Sequence, residues 1–249
     1  TVRDIHGFRA RQLEAGLSRK TVNNQLTVLR RCLMIAKEWD LLAHVPEIGW
    51  LKTAEPEFDF FDFVETDRLL AAAQREPQWH IVILTALRTG LRLGELRALR
   101  WQDVDLVARK IVVRQSAAKN DVGSPKSGHS REVDLGTEVT AALKTHRHLR
   151  GELVFCEADG RMHTENEMKH PLWRACKRAG LREIGWHTLR HTFASHLTMR
   201  CVPLKAVQEL LGHSDIRVTM RYSHLTPNVR RDAVELLNTS SANSTAKAV

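Results

Sequence analysis

Residues 187–224 read HTLRHTFASHLTMRCVPLKAVQELLGHSDIRVTMRYSH, and the rest of the 249-residue chain is interpreted from them. Thr188–Met199 has helical spacing, Pro203 suits the first turn of a second helix, and Asp215–Arg221 makes a third, short one. Near the end stands Tyr222, the single tyrosine of the protein, in a run that also holds His187, Arg190, His191, His213, Arg217, Arg221 and His224. A phenol with an ordinary pKa of about 10 is a poor nucleophile at neutral pH. Cations around it favour the phenolate, and they also favour the negative charge that grows on a phosphate under attack. Taken alone, the same tyrosine fits a half-buried side chain on a basic helix, so the remainder of the chain decides between the two.

Upstream, helices alternate with a few short strands. A helix over His80–Thr89 ends at Gly90. The run TGLRLGELRALRW (89–101) then offers a tight turn and a short helix over Glu95–Leu99 that brings Arg92 and Glu95 together. Strands are predicted near Val104–Leu106, Lys110–Arg114 and Arg131–Leu135. The last two alternate enough for a hairpin whose tip carries Lys119, Asn120, Gly123, Lys126 and Gly128. Helices follow over Thr137–His148 and Thr164–Ala179, the latter closed by Gly180, and Pro227 opens a last one to about Leu237. The expected class is mainly α with a small antiparallel β-sheet (α+β).

Residues 1–52 are expected to be all helical. A first helix stops at Gly16, and Ser18 N-caps a long one to Trp39, in which Val22, Leu26, Leu29, Leu33 and Ala36 recur at helical spacing. Arg19, Lys20, Asn23, Asn24 and Arg30 suit contact with a DNA backbone and groove, although a solvated helix surface has the same look. The segment is too small for a comfortable core and is expected to be part of a larger helical domain. The start at Thr1 rather than Met fits that expectation. Residues 53–65, TAEPEFDFFDFVE, hold five acids, no bases and four phenylalanines, the composition of an anchored linker. Thr66 is expected to cap a helix Asp67–Arg75 that opens a second domain, 66–237, and the tail 238–249 reads as flexible.

The formal charge of +9 points to a polyanionic partner, nucleic acid before an anionic membrane. No apolar run approaches the roughly 20 residues of a transmembrane helix, and no signal-peptide core is present, so a cytoplasmic setting and no membrane partner are expected. Cys32, Cys156, Cys176 and Cys201 lie far apart without a CxxC pair, which suits free, mostly buried thiols rather than a zinc knuckle or disulfide framework.

HTLRHTFASHL, LGHSDIRVTMRYSHL and TGLRLGELRALRW together resemble the signature boxes of the tyrosine recombinases, the phage-integrase and Xer-like site-specific recombinases. The resemblance covers 66–237 as the family's catalytic domain and, more loosely, 1–52 as the C-terminal part of its helical core-binding domain. It implies that Arg92 and Arg190 clamp the scissile phosphate, with His187 and His213 beside them, and that Tyr222 is the nucleophile. It further implies that Lys126, in PKSGHSREVDL, protonates the leaving 5′-oxygen and that Glu95 supports the active-site arginine. Lys119, on the same hairpin, is the alternative to Lys126 and a candidate DNA contact. Asp134 departs from the proline usual in the hairpin box. The partners implied are double-stranded DNA at recombination sites and a homotetramer on DNA formed from monomers, with room for an accessory DNA-bending protein. In that assembly the helix after Pro227, with its stripe of Val229, Ala233, Leu236 and Leu237, would dock in cis or on a neighbour. No cofactor, metal or ATP is expected, in a bacterial or phage-encoded protein.

The chemistry suits those roles. Attack on a phosphodiester passes through five-coordinate phosphorus with added charge on the non-bridging oxygens, which two permanently charged, bidentate guanidiniums match. Losing one such fixed donor costs about 3–4 kcal/mol of transition-state stabilisation. His187 either accepts the phenolic proton or holds the phosphate, while His191, His196 and His224 are expected to pack or touch phosphate. Two further readings remain beside this one. A DNA-binding protein without catalysis would suit the charge. A metal-dependent hydrolase would use His187 and His191 at i, i+4, although Thr188 stands where HExxH needs its glutamate.

Overall fold

The computed structural model describes residues 1–53, 58–119, 121–124 and 130–226. The chain divides into two compact units, Thr1–Glu57 and Phe58–Val249. In the first, α1 (Val2–Glu14) starts in a capping box between Thr1 and Asp4. The Ser18 hydroxyl then accepts the Thr21 N–H at 3.1 Å to open α2 (Arg19–Glu38). Val22 and Leu26 are fully buried beside Ile5 and Ile48, with Leu29 and Leu33 at the edge of the cluster. The apolar stripe therefore does what its spacing predicts. Among the polar residues expected to face DNA, Arg19, Lys20, Asn24 and Arg30 are exposed. Asn23 is different: its amide donates to the Leu51 carbonyl at 2.9 Å and accepts the Leu51 N–H at 3.0 Å. It staples the strand-like segment after α2 to the helix, so its polar atoms are already spent.

The second unit begins inside the stretch expected as linker. Phe61 is fully buried, and its backbone N–H donates to the Thr192 hydroxyl at 3.0 Å. Asp59 and Glu65 pair with Arg182. Helix α3 runs Phe63–Ala73 and is capped by Asp62, not Thr66, which lies buried within it. Asp62-x-x-Glu65 closes a full capping box, 2.7 and 2.9 Å, whereas no acid stands three residues after Thr66. The helix α4 (Pro77–Thr89) ends at the left-handed Gly90, and the five-residue α5 (Leu93–Arg97) follows.

Strands β1 (Val104–Asp105), β2 (Lys110–Val113) and β5 (Arg131–Asp134) form an antiparallel sheet in the order β1-β2-β5. What the sequence pattern conceals is a second hairpin, β3 (Ser116–Ala118) with β4 (Asp121–Gly123), within the expected tip. Ser-Ala-Ala and the fully exposed Asp-Val-Gly lack the alternation and branched side chains that mark a strand. Buried Arg97 holds this hairpin from below, donating to the Lys119 carbonyl at 2.8 Å and the His163 carbonyl at 2.7 Å.

Helices α6 (Thr137–His146), α7 (Glu165–Arg178), α8 (Trp186–Met199), α9 (Leu204–Leu211) and α10 (Ile216–Met220) complete the described part. One large core joins α3 to α7 with the main sheet, and a second cluster gathers Phe193, Ala194, Val207, Leu211 and Tyr222. Cys156 and Cys176 are buried, but Cys32 and Cys201 are exposed, so only half of the thiols follow the expected burial. Among the described residues, no helix is long and apolar enough to cross a membrane. The expected helix after Pro227, the tail, and Lys126 with the rest of 125–129 lie outside the described residues.

Candidate active site

The HxxR spacing puts His187 and Arg190 one turn apart on α8, and the fold brings to them residues from three other places in the chain. Arg92, His187, Arg190, His191, His213 and Tyr222 line one pocket of about 310 Å³. Five of these six were singled out from the sequence as site residues.

Arg190 is 2 % exposed, yet it needs no carboxylate. Its guanidinium donates to the carbonyls of Gly90 and Leu211, both at 2.6 Å. Gly90 is the left-handed cap of α4 and Leu211 the last residue of α9, so both acceptors are carbonyls at helix C-termini. Such carbonyls lack intrahelical partners and carry the negative end of the helix dipole, a fitting seat for a cation. Burial, then the neighbouring charge of Arg92, pulls the Arg190 pKa down to about 9, which leaves it cationic at neutral pH.

Arg92 is organised by Glu95. The carboxylate of Glu95, 1 % exposed, accepts the Arg92 backbone N–H at 2.8 Å and its Nη1 at 2.9 Å. It also accepts a two-pronged pair from Arg131, both bonds 2.8 Å. Burial alone would push the Glu95 carboxyl up, but the bonds and charge of Arg131, followed by those of Arg92, hold it below its ordinary value. Arg131 was absent from the sequence-derived site. A signal for it existed, because it stands two residues from buried Val133 on β5 and therefore on the same, inward face. Its side chain runs under Gly212, where a Cβ would lie 2.5 Å from Arg131 Cδ.

His213 follows Gly212 and turns its Nδ1 to the Thr219 hydroxyl at 2.9 Å. Burial, then Arg190 and Arg92, brings its pKa to about 3, so its imidazole is neutral. Its backbone carbonyl accepts from Gln208 at 2.9 Å.

Tyr222 is 2 % exposed, and its hydroxyl lies 2.6 Å from Nδ1 of His191. The ring of Phe58 meets it edge-on at 4.8 Å and also packs on His191 at 5.3 Å. Arg190 and Arg221 do lower the phenol's pKa, as expected of cations, but burial outweighs them and the group sits at about 12. The phenol is therefore protonated at neutral pH. His191 is brought to about 4 by burial first and then by His187 and Arg221.

With the phenol protonated and the imidazole neutral, the tautomer that carries its hydrogen on Nε2 accepts the phenolic hydrogen at Nδ1. The sequence reading gave His191 a packing or phosphate-contacting place, and the fold gives it a contact with the Tyr222 hydroxyl instead. Its i, i+4 relation to His187 was the available signal. His187 itself is exposed at the pocket, its ring 4.5 Å from that of His191 and nearly perpendicular.

Lys119 is exposed and held through its backbone by Arg97, outside the pocket. His196 bonds the Phe61 carbonyl at 2.9 Å and is structural, while His224 packs near Phe58 at 5.7 Å. Among the described residues the group able to hold a metal is elsewhere, at Glu157, His163 and Glu167. Glu167 there already caps α7 and pairs with Arg161 at 2.7 Å.

The pocket thus offers two fixed guanidiniums, neutral imidazoles and a phenol with its proton acceptor in place, the equipment for attack on a bound phosphate. Known proteins resemble the chain in sequence and in fold. The model of the phage integrase family matches residues 59–228. A XerC-like tyrosine recombinase of Caldanaerobacter subterraneus is 30% identical over 215 residues, 74% of this chain, and this chain spans 55% of that protein's length. Tyrosine recombinase XerC of Thermodesulfovibrio yellowstonii is 30% identical over 245 residues, 89% of this chain and 76% of the relative. In fold, the chain is similar to the Tn1549 transposon integrase solved with a circular intermediate DNA, with a TM-score of 0.81 at 24% identity, over 95% of this chain and 85% of that one.

Proposed function

This chain belongs to the phage integrase family, and from that premise we propose that it is a site-specific DNA recombinase which cuts and rejoins strands through a 3′-phosphotyrosyl bond at Tyr222, with no metal or ATP. The observation that carries the reading is the meeting of the single tyrosine with Arg92, Arg190, His187 and His213 in one pocket. The charge of +9 supports double-stranded DNA as the substrate. So does the DNA bound by the Tn1549 integrase.

In the proposed cycle Arg92 and Arg190 take the non-bridging oxygens of the scissile phosphate, as bidentate cations whose positions are set before DNA arrives. The reading is strengthened because nothing must reorganise to receive the added charge of the five-coordinate state. The Tyr222 oxygen bonds to phosphorus, the bond to the 5′-oxygen breaks, and Lys126 supplies the proton that the leaving alkoxide needs. His213 stays neutral and donates or accepts without adding a third cation. The phosphodiester's energy is kept in the phosphotyrosine, so a 5′-hydroxyl from another strand reverses the chemistry. Exchange between two duplexes further calls for a homotetramer on paired sites, with α2 of the first unit contributing Arg19, Lys20, Asn24 and Arg30 to DNA contact.

The test is a nicked suicide duplex, from which the 5′-hydroxyl fragment escapes, incubated with EDTA and run on a denaturing gel. DNA flanking the gene and a random-sequence pool supply the sites. A DNA-linked band for wild type and none for Tyr222→Phe is expected. An adduct that survives in Tyr222→Phe sinks the nucleophile. DNA binding without any adduct favours a binding protein.

A further inference from the structure

We propose that His191, rather than His187, takes the proton from the Tyr222 phenol as the phosphotyrosyl bond forms. The inference rests on the recombinase reading above and gives His191 a role that the resemblance did not assign to it. Its basis is geometric: His191 Nδ1 stands 2.6 Å from the phenol oxygen, while His187 is an exposed residue lining the same pocket. A general base must lie within hydrogen-bond reach of the proton it removes, and His191 Nδ1 is within that reach of the Tyr222 hydroxyl.

The imidazole is also placed with care. It follows Arg190 directly on α8, so the carbonyls that fix Arg190 fix the base relative to the phosphate clamp. Phe58 on one side and the edge of the His187 ring on another, at 5.3 and 4.5 Å, restrict its rotation. With the phenol as donor, Nδ1 carries the lone pair and Nε2 the hydrogen. In the step, the Tyr222 oxygen–phosphorus bond forms as the phenolic proton moves to Nδ1. The phosphorus–5′-oxygen bond breaks, and the leaving oxygen receives its proton from Lys126. On rejoining, the imidazolium returns the proton to the phenol.

Charge explains the timing. The groups facing His191 are His187 and Arg190 from its own helix, Arg221 and Tyr222 from the segment after α10, and Asp59 from the segment before α3. Burial and the cations keep the imidazole neutral, with only Asp59 opposing them. A phosphate seated on Arg92 and Arg190 offsets that positive field, so the base gains proton affinity only when there is a phosphate to attack. This coupling guards the nucleophile against idle ionisation.

The experiment follows single-turnover adduct formation on the suicide duplex from pH 6 to 9, for wild type, His191→Ala and His187→Ala, with DNA affinity measured in parallel. His191→Ala is expected to lose about 10²-fold or more in rate at unchanged affinity. Its rate should climb steeply with pH where wild type is flat, and free imidazole should restore part of it. His187→Ala should show neither the pH signature nor the rescue. Wild-type rate and profile in His191→Ala would overturn the proposal, as would a slow His191→Ala with the wild-type profile and no imidazole rescue. Because Tyr222 is the sole tyrosine, its ¹³Cζ label gives one resonance that reports the phenol's hydrogen bond without DNA. That resonance should move in His191→Ala; if it does not, the contact is absent. Should wild type form no adduct at all, the recombinase reading falls, while the resonance still decides the His191–Tyr222 bond.

Discussion

The two sides of the pocket are held in different ways. On the arginine side, Glu95 binds Arg92 and Arg131 through four bonds of 2.8–2.9 Å, and Arg190 is seated in two helix ends. Each contact is buried or charge-assisted, and the atoms come from α5, β5, α8 and two helix caps. On the phenol side, the Tyr222 ring is packed in the second apolar cluster, and its hydroxyl has one hydrogen bond, to His191, with the edge of Phe58 beside it. The difference follows from what each side must do. A phosphate clamp works best when it is set in advance and costs nothing to organise. In the proposed cycle Tyr222 becomes bonded to DNA and has to leave its resting contacts, which a single polar bond permits more readily than four would.

The largest effect expected from testing this contrast is at Glu95. Replacing it by Gln leaves two half-buried guanidiniums facing a buried neutral amide, and breaking a buried pair costs ~3–5 kcal/mol, read by chemical denaturation. The pH dependence carries a sign. A carboxyl held below its ordinary value stabilises the fold fully above its unfolded pKa of about 4.3, and that contribution is lost as the pH falls through its folded pKa. Glu95→Gln should therefore flatten the acid limb of the stability curve. An unchanged acid limb would mean that the carboxylate is not the hub of this side.

A smaller loss is expected from Gly90→Ala. Gly90 has φ +64°, and a Cβ there would lie 2.5 Å from Phe193 Cδ1. Crowding of this kind costs ~1–3 kcal/mol, and left-handed strain adds to it. Because the Gly90 carbonyl seats Arg190, adduct formation should fall along with stability. Loss of stability with undiminished adduct formation would separate the clamp from its helix ends.

Phe58→Leu probes the other side with the smallest expected effect. An edge-on aromatic pair contributes ~0.5–1.5 kcal/mol beyond its area, so the melting temperature should fall by a few degrees. The Tyr222 resonance should shift while the arginine side keeps its DNA affinity. A large loss of DNA affinity would show that the two sides are not independent.

The sequence made some of this legible. His187 and Arg190 are one turn apart on a single helix, and His213 and Tyr222 flank a short one, so local spacing alone places them on neighbouring surfaces. Arg92 and Glu95 are likewise joined within one turn of chain. Arg131 was missed because its partner lies 36 positions away, and only the inward face of β5 hints at it. His191 was visible as a residue but not as a contact, since whether an imidazole packs or accepts a proton depends on what the fold brings opposite. The start of α3 was misplaced because a threonine near an apolar run was preferred to the Asp62–Glu65 box. The β3–β4 hairpin was hidden by residues with little strand preference, held from beneath by Arg97.

The seating of Arg190 has a consequence for how the protein meets heat. Its two anchors are the ends of α4 and α9, so the arginine is in effect a tie rod between an element of the large core and one of the second cluster. If Arg190 clamps the phosphate as proposed, recognition inherits the robustness of packed helices and not of a loop. As temperature rises, the grip on the phosphate should persist until the molecule itself gives way.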